Sequence, residues 1–312
     1  MAARPLVILN ETVSSTKPEW LKVRAPQGER YLDVKRTLRG LELSTVCEHA
    51  RCPNVGECWG RGTATVMLLG HVCTRGCRFC AVTAGSPGGL VDAREPEHVA
   101  EAIARLGLDY VVLTMVDRDD LADGGAAHVA RTVTVLRERR PELLVETLTG
   151  DFGGSQEDLD HVLDASPDVF GHNLEVTRAM TLRVRDRRCS YERSLAVLER
   201  ARRRLRGGLV KSSLMVGIGE ADDEVYDALA DLRRVGVDIV TLGQYLRPTP
   251  RHAPVARFVT PEQFARFRRF GDELGFSHVE SGPLVRSSYH AAEAYARAAL
   301  RARRSTAGDA ER

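Results

Sequence analysis

Six of the seven cysteines fall between Cys47 and Cys80, in two groups of three. The second group reads Cys73-Thr-Arg-Gly-Cys77-Arg-Phe-Cys80, a C-x3-C-x2-C run. Three thiolates this close can wrap one metal site from a single loop. They leave a fourth position with no nearby protein ligand. Soft thiolates select zinc or iron–sulfur clusters. Structural zinc takes four closed ligands, commonly from paired C-x2-C units. Three ligands suit a cubane cluster with one open iron. The competing readings are a zinc loop completed by His71 or a distant residue, and a knot of structural thiols. The first group, Cys47-Glu-His-Ala-Arg-Cys52-Pro-Asn-Val-Gly-Glu-Cys58, is C-x4-C-x5-C. On spacing alone it allows a second three-cysteine site. Cys189 stands apart and reads as a buried, incidental thiol, since free cysteine packs as a small hydrophobe.

The elements that must position these loops follow a repeating rhythm. Apolar, strand-like runs occupy residues 63–69, 109–115, 143–147, 168–172, 209–216 and 237–242. Helical periodicity fills 95–106, 126–139, 156–165, 190–205 and 222–235, with a last helix over 261–274. Strands alternating with helices imply βα units and a parallel sheet. Six such units predict an α/β fold, a partial (β/α)6 barrel with ligands at the carboxyl ends of its strands. The Cys73–Cys80 loop follows the first strand, at that mouth. Residues 1–62 form an N-terminal extension holding the first three cysteines, 63–275 the barrel, and 276–312 a C-terminal extension ending in an Ala/Arg-rich tail expected to fray.

Composition sets outer bounds. With 312 residues and 43% apolar content the chain can bury a sizeable core. Charged residues reach 28% but nearly cancel to +2, which argues against a dedicated nucleic-acid binder. The basic residues are almost all arginine, a pattern of codon bias rather than function. No apolar run approaches the ~18 residues of a membrane span. The N-terminus lacks the apolar stretch and cleavage site of a secretory signal. A reducing cytoplasm is therefore expected, where disulfides are rare.

The Cys73–Cys80 spacing, with Phe79 before the last cysteine, resembles the cluster loop of the radical S-adenosylmethionine superfamily. That resemblance implies a 4Fe–4S cluster on Cys73, Cys77 and Cys80. Its open iron would chelate S-adenosylmethionine and reductively cleave it to a 5′-deoxyadenosyl radical. The segment CEHARCPNVGECWG resembles the signature of the lipoyl synthase family. The likeness continues through KPEWLKVRAPQGERY, TATVMLLGHVCTRGCRFCAV, VDRDDLADGGAAH, HNLEV, VRDRRCSYERSL, GQYLRPTPRHAPV and GPLVRSSYHA. It implies a second, auxiliary 4Fe–4S cluster on Cys47, Cys52 and Cys58. Its fourth ligand would be the second serine of RSSY, Ser288, with Ser287 as the alternative. The implied reaction is radical insertion of two sulfur atoms, at C6 and C8 of a protein-bound octanoyl-lysine, with sulfur taken from the auxiliary cluster. The implied partners are octanoylated lipoyl carrier domains of 2-oxoacid dehydrogenase E2 or glycine cleavage H protein, a flavodoxin or ferredoxin reductant, and iron–sulfur assembly proteins. No nucleic acid or membrane is implied. A biotin synthase-like inserter, a non-catalytic cluster carrier and a zinc module are the rival readings.

S-adenosylmethionine would need a cradle at the strand ends. Candidates are Asn173 and Glu175 after the fourth strand, Met215 after the fifth, and Gly124 after the second. Arg185 or Arg188 would pair the methionine carboxylate, as arginine does well. Asp117, Asp119 and Asp120 resemble a catalytic carboxylate group, but hydrogen-atom abstraction needs no acid–base pair, so they read as loop-ordering. His71, Arg75 and Arg78 surround the cluster loop and would favour a reduced cluster. The basic runs 202–204 and 266–269 read as solvated helix faces, either of which could dock an acidic carrier. The chain departs from the family pattern at Met115, Val176-Thr177, Arg187 and Ser213, and leaves every proposed cluster ligand in place.

Overall fold

The computed structural model describes residues 17–23, 27–61, 65–288 and 294–300. In chain order the strands are β1 (Ser44–Thr45), β2 (Thr65–Leu68), β3 (Val72–Cys73), β4 (Thr83–Ala84), β5 (Tyr110–Met115), β6 (Leu144–Leu148), β7 (Val169–Gly171), β8 (Leu209–Val216), β9 (Ile239–Gln244) and β10 (His278–Gly282). The helices are α1 (Glu29–Gly40), α2 (Val46–His49), α3 (Val55–Gly60), α4 (Glu95–Leu106), α5 (Ala126–Arg139), α6 (Gln156–Asp164), α7 (Arg178–Val184), α8 (Tyr191–Arg204), α9 (Asp222–Arg234) and α10 (Pro261–Glu273). Residues 294–300 are also helical.

One sheet runs in the order β1-β2-β5-β6-β7-β8-β9-β10. From β2 to β10 every neighbour pair is parallel, while β1 lies antiparallel on β2. Six strands are each followed by a helix packed outside, as the periodicity predicts. The segment before the RSSY block adds a further parallel strand, β10, beyond the six runs that the periodicity predicts. Its residues HVESG alternate a buried Val279 with half-buried His278 and Glu280, too polar a pattern to stand out.

Period-two alternation sorts the side chains. Val111, Leu113, Val145, Phe170, Val210 and Val240 face the helices and join the large core. Tyr110, Val112, Leu144, Val169, Leu209 and Ile239 face inward and pack on Ala296 and Leu300 of the C-terminal helical stretch. That stretch packs against the amino end of the barrel. Helix starts are set by local chemistry: Ser155, Ser190 and Thr260 cap α6, α8 and α10 by accepting from a backbone N–H in the first turn.

Above the apolar floor lies a buried ion pair. Lys211 Nζ donates to Glu146 Oε1 at 2.8 Å, and Tyr110 Oη donates to Glu146 Oε2 at 2.6 Å. Both charged side chains are nearly inaccessible. Removing one partner would strand a charge in the interior. Lys211→Met is therefore expected to destabilise the fold by about 3–5 kcal/mol, and the double change Glu146→Met/Lys211→Met to recover most of that loss. Thermal unfolding of the three variants checks this.

The sheet does not close. Its two edges are β1 and β10, and the chain that leaves each edge crosses the opening. Residues 46–58 follow β1 and residues 283–288 follow β10. Asn54 Nδ2 donates to the Leu284 carbonyl at 2.7 Å, a clasp between segments 230 positions apart.

Candidate active site

A cavity of about 910 Å³ opens at the carboxyl ends of the strands. It is lined by Cys47, Cys52 and Cys58, by Cys73, Cys77 and Cys80, and by Ser287 and Ser288. All seven cysteines are free thiols. Among the described residues no three His, Cys, Asp or Glu side chains gather as a single-ion site. The two thiol triads border a volume rather than a point.

The Cys73–Cys80 loop is held from four directions. Asp117, at the end of β5, accepts from the Thr74 N–H at 2.9 Å through its carbonyl. Arg75 is buried beneath the loop and pairs with Asp117 at 3.4 Å, Asp119 at 2.8 Å and Asp151 at 2.7 Å. Gly76 N donates to Asp186 Oδ2 at 2.9 Å, and Asp186 N donates to Cys77 Sγ at 3.3 Å. From beyond β9, His252 Nε2 sits 2.9 Å from the Cys80 carbonyl. Asp119 and Asp120 thus order loops: Asp120 pairs with Arg118 at 2.8 Å and accepts from Gly89 N at 2.8 Å. Burial pushes Asp117 up to about 6 despite the facing Arg75.

Burial also pushes the Cys47, Cys73 and Cys80 thiols up to about 11, and moves Cys52 in the same direction. Cys77 is pushed up first by its hydrogen bond with Cys189. Thiols so placed stay protonated until a bound cation draws the proton off. Cys189 is buried, as expected for an incidental thiol, but it lies on the cavity wall, with Arg75 Nη1 donating to its sulfur at 3.6 Å.

The first triad is fixed to the barrel edge. Pairing of Ser44 opposite Met67 and Thr45 opposite Val66 places Cys47 one turn later, on α2. Thr45 caps that turn by accepting from Glu48 N. Trp59 is fully buried against Tyr31, with ring centroids 5.3 Å apart. Its indole N–H is directed at the Cys47 sulfur, a contact that opposes the rise that burial imposes on that thiol. The far segment packs closely because Gly243 has no side chain; a Cβ there would stand 2.0 Å from the Val285 carbonyl. Arg286 Nη1 donates to the Val285 and Gln244 carbonyls at 2.6 and 3.3 Å. Its guanidinium faces Cys52, and burial depresses its hold on the proton. His49 and His71, one from each cysteine loop, stack at 5.2 Å.

The candidates for S-adenosylmethionine divide. Asn173, Glu175, Arg185 and Met215 line the cavity. Asn173 Nδ2 donates to Glu175 Oε1 at 3.1 Å, and Met215 N donates to the Glu175 carbonyl at 2.8 Å. Burial pushes the Glu175 carboxyl up. Arg185 Nη1 donates to Ser194 Oγ at 2.9 Å, while its buried Nε finds no acceptor. Thr149 Oγ1, on the same wall, is likewise unsatisfied. Arg188 is not on the cavity wall. It pairs with Asp186 at 2.8 Å and Asp119 at 3.2 Å, clasping the cluster loop from outside. Gly124 lines a separate space of about 200 Å³ beside Phe152. Met115 and Ser213 reach the cavity wall; Val176 and Thr177 are buried off it, and Arg187 is exposed. Asn54, Thr149, Gln244 and His252 belong to the wall or its support and were missed. Asn54 lies inside the first cysteine motif, and Gln244 and His252 inside the GQYLRPTPRHAPV block.

His172 is buried between the Thr149 carbonyl, 2.9 Å from Nδ1, and Ser194 Oγ, 3.0 Å from Nε2. Burial pushes it down to about 4. The unfolded chain takes up this proton near 6.5 and the folded chain only near 4, so between those values the unfolded state holds more protons. Stability is complete above pH 6.5 and declines as pH falls through the window. Denaturant unfolding at pH 7 and pH 5 should show the wild type losing about 2 kcal/mol more than His172→Gln.

Residues 67–232 match the Radical SAM superfamily, and residues 6–52 match the N-terminal domain of lipoyl synthase of the Radical SAM family. The chain is 63% identical to the lipoyl synthase of Sorangium cellulosum, over 92% of this chain and 81% of that one. It is 55% identical to the lipoyl synthase of Thermus thermophilus, over 93% and 90%. The chloroplastic lipoyl synthase of Ricinus communis is 51% identical, over 93% and 81%. Among solved structures, the FeFe-hydrogenase maturase HydG of Carboxydothermus hydrogenoformans superposes with a TM-score of 0.51 at 14% identity, covering 73% of this chain and 64% of that one. That likeness concerns the fold. The chain belongs to the lipoyl synthase family of the radical S-adenosylmethionine superfamily.

Proposed function

We propose that this chain inserts sulfur at C6 and C8 of an octanoyl group carried on a lysine of a lipoyl carrier domain. It is an enzyme of its family, a sulfurtransferase working with 4Fe–4S clusters and S-adenosylmethionine. The residues present fit those groups. Six free thiols border one cavity, and Arg185 Nε and Thr149 Oγ1 stand unsatisfied on the wall. Cys73, Cys77 and Cys80 would hold the cluster that engages S-adenosylmethionine, and Cys47, Cys52, Cys58 and Ser288 the auxiliary one. Bound there, the first supplies an electron to S-adenosylmethionine and the second supplies sulfur.

The chain's own part is positioning and exclusion of water. Arg185 and Asn173 offer donors to a carboxylate or ribose. Glu175, whose carboxyl burial pushes up, offers an acceptor for an amine or hydroxyl. A serine oxygen is a weaker hold on iron than a thiolate, which suits a cluster that gives up sulfur. Residues 1–62 and 276–312 are proposed as extensions that complete the auxiliary site on the barrel of 63–275. No described helix is long and apolar enough to cross a membrane. A reducing cytoplasm, a flavodoxin or ferredoxin donor and iron–sulfur assembly proteins complete the proposal.

The observation that carries this reading is the Asn54–Leu284 clasp, which joins the first cysteine motif to the RSSY segment over the cavity of the second motif. The test is anaerobic reconstitution with S-adenosylmethionine, dithionite and an octanoyl-lysine peptide. Mass spectrometry should show a monothiolated and then a dithiolated peptide. Deoxyadenosine without sulfur gain would sink the lipoyl assignment and keep the radical one.

A further inference from the structure

Among the described residues, the exposed charges that line the cavity are all of one sign. Lys17, Arg51, Arg78, Arg247 and Arg251 line it and are solvent-exposed. None of the five makes an ion pair among the described residues, although more than half of the described arginines do. Neighbouring acids are already committed: Glu48 to Arg39, Glu57 to Arg61 and Asp186 to Arg188. The lining acids Asp117, Asp151 and Glu175 sit deeper, Asp117 and Asp151 around Arg75 and Glu175 against Asn173. The whole chain carries only +2, so this is a local surplus and not a reflection of bulk charge.

Of the basic runs that the sequence suggested for docking, 202–204 is otherwise engaged. Arg202 pairs with Asp238, Arg203 with Glu199 and Arg204 with Asp164, all on the outer helix layer. At the cavity mouth, by contrast, five exposed cations without an ion pair stand together.

We infer that this cationic rim docks an acidic face of the protein domain that presents the acylated lysine. The inference rests on the reading above that the substrate is protein-borne. A lysine side chain is a short tether, so an acyl group that reaches the thiols brings its carrier's surface onto the rim. Unpaired, exposed cations meeting carboxylates would raise the rate of encounter and fix orientation, and salt would screen the effect.

The experiment uses the reconstituted enzyme with dithionite, which removes any protein reductant. Two substrates are compared: an octanoyl-lysine tripeptide and an intact octanoylated carrier domain. Arg251 and Lys17 have no described side-chain hydrogen bonds and belong to no cysteine motif. Arg251→Glu/Lys17→Glu should raise KM for the domain by about tenfold and leave the tripeptide KM and both kcat values unchanged. Raising salt should raise the wild-type KM for the domain alone. Equal effects on domain and tripeptide, or no effect on either, would overturn the inference. So would a defect that appears only when an acidic protein reductant replaces dithionite, because the rim would then serve the electron donor. Failure of the wild type to thiolate either substrate would instead indict the proposed function.

Discussion

Cys80→Ala, reconstituted without oxygen, is expected to form no 5′-deoxyadenosine above the level of cluster-free protein, and hence no thiolated product. Cys52→Ala is expected to behave differently. It should still release deoxyadenosine from S-adenosylmethionine, while sulfur insertion falls to background. The contrast follows from position. Cys80 is fixed by the Cys77 carbonyl and carries His252 on its own carbonyl, within the loop that follows β2. Cys52 belongs to the segment that crosses the barrel opening and faces Arg286. The two triads share a cavity but hang from different elements, so losing one ligand leaves the other loop's hydrogen bonds intact. Chromatography for deoxyadenosine beside mass spectrometry for product separates the two. Loss of deoxyadenosine in both variants would mean that the triads do not hold independent sites.

The second large effect concerns closure from the far end of the chain. Asn54→Leu removes the clasp on Leu284 and leaves that carbonyl without its partner, at a cost of about 1–3 kcal/mol. Its effect on the site should be greater than on the fold. Supporting residues of metal sites commonly affect binding or activity by about 10–100-fold, and sulfur insertion should fall within that range. Ser288→Ala should lower insertion at least as far, with deoxyadenosine formation preserved. Full thiolation by Ser288→Ala would refute the ligand assignment and turn attention to Ser287, which borders the same cavity.

Much of this arrangement was legible because its signals are local. The cysteine spacings are each contained in a dozen residues or fewer, and a loop that short must bring its thiols together. Helix α4 begins where Pro96 permits a first turn and ends at Gly107 in the left-handed region, both readable from residue type. Strand β10 was not legible, because its alternation is polar on one face and only five residues long. Helix α7 was missed for a related reason: Arg178–Val184 spans two turns, too few to establish a period.

At the site, ambiguity arose where one segment offered two similar side chains. Arg185 and Arg188 are three positions apart, and only the turn after α7 decides between them. That turn sends Arg185 to the cavity and Arg188 to the outer side of the cluster loop. Gly124 was attractive as a glycine after a strand, but its positive φ of 61° serves a turn beside Phe152. Long-range pairings lay wholly out of reach. Nothing in either motif announces that Asn54 meets Leu284, or that Gly243 is bare so that Val285 can pass.

On the function proposed above, the two triads serve unequally, one for S-adenosylmethionine and one as the source of sulfur. The most direct measurement builds the clusters with isotopically heavy sulfide, removes excess sulfide, and follows a single turnover on an octanoyl-lysine peptide. Both sulfurs in the dithiolated product are expected to be heavy, and product is expected to stop near one equivalent per chain. Light sulfur in the product, or heavy sulfur at undiminished yield from Cys52→Ala, would contradict it.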